Sequence, residues 1–122
     1  MSKHHIVHVE ISALDREAAG KFYSDLFGWN IQQVPEMNYA TFDYGVEGVG
    51  GGLNPVREDN PAGTVVVYVE TDDIDASLVK AEKLGGKIVT QKTEIPGMGW
   101  FGMFTDPTGN LIGFFTGMPS QT

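Results

Sequence analysis

The sequence predicts an α+β fold, two βαβββ modules in tandem forming a curved mixed sheet around a cavity with the helices outside. Three observations carry this. An alternating strand followed by a capped helix occurs twice, each helix stops at a glycine, and a polar, turn-rich segment separates the two copies. The 122 residues suit a single domain with one core. The first module covers about residues 5–54, a linker about 55–63, and the second module about 64–117.

The first strand is read from Val7, Val9 and Ile11, which alternate with His8 and Glu10 and so give one apolar and one polar face. Asp15 then caps a helix whose Ala19, Phe22, Tyr23 and Leu26 recur at helical spacing, and Gly28 sits where a left-handed C-cap belongs. Strands follow over 29–34, 39–44 and 48–54. Beyond the linker Val65, Val67 and Val69 alternate with Val66, Tyr68 and Glu70. Asp72 or Asp73 caps a second helix buried through Ile74, Leu78, Ala81 and Leu84, and Gly85-Gly86 ends it. Strands over 87–91, 100–105 and 111–116 complete the copy, the last two joined by the Asp106-Pro107-Thr108-Gly109-Asn110 turn.

Composition narrows the function. The chain has 16 acidic and 8 basic residues, a net charge of −8, with no cluster of Lys or Arg, which disfavours nucleic acid. No stretch is long and apolar enough for a membrane span, and the polar start leads into a strand pattern rather than a signal-peptide core. With no cysteine there are no disulfides, thiolate metal sites or cysteine nucleophiles, which suits a reducing compartment, and a cytoplasmic location is expected. No nucleophile elbow, dinucleotide fingerprint or Walker sequence is present.

In order and spacing, His8-Val9-Glu10-Ile11, Asp15, Phe22-Tyr23, Leu26-Phe27-Gly28-Trp29, Asp72-Asp73-Ile74, Gly85-Gly86 and Asp106-Pro107-x-Gly109-Asn110 resemble the vicinal oxygen chelate superfamily, the glyoxalase, bleomycin-resistance and dioxygenase group. The resemblance covers nearly the whole chain. It implies four metal-ligand positions, on the first and last strands of each half, which fall on His8, Gly52, Val66 (Val65 if the register slips) and Gly113. Only His8 carries a ligating side chain. No metal is therefore expected and no other cofactor is predicted, a divalent metal being the minority reading.

The expected function is that of a glyoxalase- and bleomycin-resistance-like protein holding a small organic molecule in its cavity. The alternatives are a metal-dependent lyase, isomerase or dioxygenase, and a non-catalytic subunit or a protein sequestering a cationic antibiotic. His8 and Glu10 share a strand face and form the candidate base and orienting partner, set against an inherited polar lining. Tyr39, Tyr68, Trp100, Asn54 and Met98 are the candidate ligand contacts, set against ordinary core and connection roles. Ile95-Pro96-Gly97-Met98-Gly99 reads equally as a lid or a plain connection, and His4 and His5 as a solvent-facing, frayed terminus. The resemblance also implies a homodimer.

Overall fold

A computed structural model describes residues 4–43 and 49–118. The elements run β1 (Ile6–Ala13), α1 (Arg16–Phe27), β2 (Asn30–Val34), a 3₁₀ turn (Pro35–Met37), β3 (Tyr39–Asp43), β4 (Gly50–Pro55), β5 (Val65–Glu70), α2 (Ile74–Lys83), β6 (Lys87–Ile95), β7 (Gly99–Thr105) and β8 (Leu111–Gly117). The expected βαβββ order is present twice. Tyr44 and Gly48, expected at strand ends, lie outside the described residues.

The two halves form separate compact units that divide near Val7 and again after Val66. In the first the strand order is β2-β3-β4-β1, and in the second it is β6-β7-β8-β5. Each sheet is mixed: β1 pairs with β4 and β5 with β8 in parallel, while the remaining pairs are antiparallel. A parallel pairing of first and last strands follows from the helix and hairpins that intervene between them.

Local chemistry sets the helix ends. Asp15 accepts from the amides of Glu17 and Ala18, both at 3.1 Å, and Gly28 closes α1 at φ 75°. Of the two caps allowed for α2, Asp73 is the one used, accepting from the Ala76 amide at 3.0 Å, and Gly85 follows the helix at φ 105°. In the first half Ala13, Ala40, Phe42 and Leu53 form a buried cluster, with Ile11, Ala19, Tyr23, Trp29 and Ile31 packed against it. In the second half Ile74 and Leu78 seat α2.

Several expectations are corrected. Leu84 at the end of α2 is exposed rather than buried, and Phe22 and Leu26, at helical spacing on α1, are exposed too, because each helix has a sheet on one side only. On β5 the more deeply buried side chains are Val66 and Tyr68, not the Val65, Val67, Val69 set. Strand β6 extends to Ile95, with shifts in register on either side of Thr90, so the segment read as lid or connection is a tight turn. Its Met98 amide donates to the Ile95 carbonyl and its Met98 carbonyl accepts from Met118. The linker folds back on β1: Asn60 is buried, and Ser12 donates its amide to Thr64 and its hydroxyl to Pro61. The start of the chain is solvent-facing but tied down, the His5 carbonyl accepting from Glu70 and His4 Nδ1 donating to the Glu70 carbonyl.

Candidate functional site

The polar face of β1 carries His8 and Glu10, and the parallel register sets them opposite Gly50 and Gly52 of β4. Tyr39, at the start of β3, supplies a hydroxyl that joins them. It donates to Glu10 Oε2 at 3.0 Å and lies 2.7 Å from His8 Nε2, while the two ionisable groups themselves stand 3.9 Å apart. A carboxylate only accepts, so the single phenolic proton goes to Glu10 and His8 Nε2–H donates to the phenol oxygen. Asn54, near the end of β4, donates its amide to Glu10 Oε1 at 3.3 Å, and its buried Oδ1 has no hydrogen-bond partner among the described residues. The result is a directed chain, imidazole to phenol to carboxylate, with an amide on the far oxygen.

Burial holds the His8 imidazole below its ordinary value of 6.5, and the Glu10 charge partly offsets that. The ring is thus neutral near pH 7, with its proton on Nε2. His8 and Glu10 side chains keep 30% and 18% of their surface, so the pair is sheltered yet open to solvent.

The absence of a side chain at Gly52 makes this arrangement possible. A Cβ built there would lie 1.7 Å from the Tyr39 hydroxyl oxygen and 1.9 Å from Cζ. The phenol occupies the volume a residue-52 side chain would need. The second half does the same differently: a Cβ on Gly113 would lie 2.3 Å from Tyr68 Cδ2, Tyr68 being the residue opposite Gly113 on β5. Both last-strand positions implied as metal ligands are covered by tyrosine rings. Among the described residues no group of three or more His, Asp or Glu side chains could hold a metal. His8 and Glu10 alone do not fit the donor count of a zinc- or iron-type centre.

The structure therefore brings His8, Glu10, Tyr39 and Asn54 together in the first half. The other expected contacts lie in the second half. Tyr68 is committed to Gly113, Trp100 lies under Lys92 Nζ at 5.3 Å from the ring centroid, and Met98 is exposed on the β6–β7 turn. The sequence marks Tyr39 as a candidate ligand contact but does not show its hydroxyl as the link between His8 and Glu10. The available signal was Gly52 itself, a strand residue whose missing side chain marks a close approach. Phe42 pairs with Gly51 and Phe104 with Ile112, so with Gly52 and Gly113 equivalent the counterpart of Tyr39 is Phe101.

With this geometry established, comparison with known proteins places the chain. The family model of the Glyoxalase/Bleomycin resistance protein/Dioxygenase superfamily matches residues 5–114, and the chain belongs to that superfamily. It is 30% identical over 114 residues to the protein named "Putative glyoxylase CFP32" of Mycobacterium bovis, covering 88% of this chain and 43% of the relative. It is 33% identical over 113 residues to a "Glyoxylase-like domain-containing protein" of Didymella fabae, covering 84% of this chain and 85% of the relative. The fold matches the Mn(II)-bound glyoxalase of Novosphingobium aromaticivorans with a TM-score of 0.68 at 22% identity, over 100% of this chain and 43% of that one. The chain thus spans 43% of the length of CFP32 and 85% of that of the Didymella protein.

Proposed function

We propose that the chain binds a small polar organic molecule on the His8, Glu10, Tyr39 and Asn54 face of its first half, and that it does so without a metal. The observation that carries this reading is the Tyr39 hydroxyl standing in the side-chain volume of Gly52 while hydrogen-bonding both His8 and Glu10. A phenol held there replaces a ligand position with a neutral donor and acceptor, and a neutral imidazole beside it presents hydrogen bonds rather than charge. If the bound molecule reacts, His8 and Glu10 are the base and its orienting partner, and Tyr39 is the proton conduit between them. The family's glyoxylase-named relatives support a small-molecule role in general terms.

Ligand-detected NMR against a panel of small carbonyl compounds, hydroxy acids and phenols tests the reading. The expected result is at least one saturable binder whose affinity falls about tenfold in Tyr39→Phe, the worth of one buried hydrogen bond. Binding that is indifferent to both Tyr39→Phe and His8→Ala would move the site elsewhere. We also propose a cytoplasmic homodimer, as the family resemblance and the absence of cysteine from the sequence suggest. Among the described residues no helix is long and apolar enough to cross a membrane. A monomer in sedimentation at micromolar concentration would refute the dimer.

A further inference from the structure

The second half carries an open cleft of about 440 Å³ between α2 and the strands beneath it. Its walls include Val69 of β5, Phe104 of β7, Phe114 of β8, and Lys80, Ala81 and Leu84 of α2. The volume is within the range of small-molecule sites. The Phe104 and Phe114 rings, both in the lining, stack with centroids 4.9 Å apart and planes at 29°. The cleft shares no residue with the His8 set.

The duplicated frame shows what this cleft lacks. Gly28 and Gly85, both left-handed, follow the ends of α1 and α2, so Trp29 and Gly86 hold equivalent positions. Phe42 and Phe104 are equivalent through their pairing with the last strands. In the first half the Trp29 indole stacks on Phe42 with centroids 4.5 Å apart and planes at 16°, and it also meets Phe27 at 5.0 Å and Tyr23 at 5.5 Å. A smaller cleft of about 290 Å³ remains beside it. In the second half Gly86 sends nothing onto Phe104. Phe104 is kept, with Phe114 stacked against it, and the indole that Trp29 lays on Phe42 has no counterpart.

Charge narrows what would replace that ring. Asp106 and Lys80 both border the cleft. The Asp106 carboxylate is occupied by its own turn, accepting from the Gly109 and Asn110 amides at 2.9 Å and from Asn110 Nδ2 at 3.1 Å. Lys80 takes part in no ion pair among the described residues. We propose that this cleft binds a flat bicyclic aromatic molecule carrying a carboxylate. Its ring lies on Phe104 as Trp29 lies on Phe42, and its carboxylate meets Lys80. The net charge of −8 opposes anions at long range, so the Lys80 contact is read as a difference between a charged and an uncharged probe.

The test is a titration of the full chain with indole and with indole-3-carboxylate, followed by backbone amide NMR. Saturable shifts at Val69, Ala81 and Phe104 are expected for both probes, the carboxylate binding about threefold more tightly, as one exposed ion pair allows. Lys80→Gln should erase that difference and leave indole unchanged. Ala81→Leu, which fills the cleft, should weaken both probes about tenfold or more. Shifts that do not saturate, that centre on His8 and Tyr39, or that persist unchanged in folded Ala81→Leu protein would overturn the proposal. So would shifts at these amides that grow with protein concentration alone, which would make a second copy of the chain the occupant. Should Ala81→Leu fail to fold, the surface variant Lys80→Gln decides the carboxylate contact by itself.

Discussion

At the residue scale, the chemistry of the site rests on one phenol and one missing side chain. Gly52→Ala drives a Cβ into the Tyr39 hydroxyl, since 1.7 Å is far inside any contact distance. The expected cost is about 1–3 kcal/mol in urea unfolding, as for other overpacked sites. In a Tyr39→Ala background the same change should cost little, a coupling that a double-mutant cycle reads directly. Additive losses would mean that Tyr39 does not own that space. His8 supplies a second prediction. Its folded value lies below 6.5, so between that value and 6.5 the unfolded chain holds more protons than the folded one. The His8 contribution to stability is therefore complete above about pH 6.5 and declines as pH falls through that point toward the folded value. An NMR titration of the ring should show a midpoint under 6.5, and Glu10→Gln should lower it further by removing the offsetting charge. A midpoint that rises in Glu10→Gln would contradict the assignment.

At the scale of elements, the repeated strand, helix and three strands place these residues. The parallel pairing of β1 with β4 sets Glu10 beside Gly52 and Ser12 beside Asn54, and the antiparallel β3 brings Tyr39 over them. Helix α1 fixes the other face of the same strands through Ala19 and Tyr23. Its cap is the better defined of the two, because Asp15 accepts two backbone amides where Asp73 accepts one. Asp15→Ala should cost about 1 kcal/mol of stability, and Asp73→Ala less. Denaturant midpoints that reverse this order would show that the number of amides a cap accepts does not set its worth here. The exposed Phe22, Leu26 and Phe27 of α1 contribute little to that seat, so their truncation to alanine is a smaller perturbation than their size suggests.

At the scale of the whole molecule, the frame was legible because it is written in short-range signals. Val7, Val9 and Ile11 alternate, Asp15 and Gly28 bracket a helix, Asp106 to Asn110 form a turn, and the set recurs. The gathering of His8 and Glu10 was legible for the same reason, as residues two apart on a strand share a face. The Tyr39 link was not, because it depends on the pairing of β3 with β4, a long-range register that no short-range pattern in the sequence states. Nor was the cleft over Phe104, which appears only when Gly86 is set against Trp29 with both halves folded. The Tyr39 phenol closes the Gly52 position, which the family resemblance implies as a metal-ligand site. Elemental analysis of tag-free protein and of His8→Ala, each incubated with nickel, zinc, manganese and ferrous iron and then desalted, tests it most directly. Substoichiometric metal that the substitution leaves unchanged is expected; one metal per chain, lost in His8→Ala, would overturn the metal-free site.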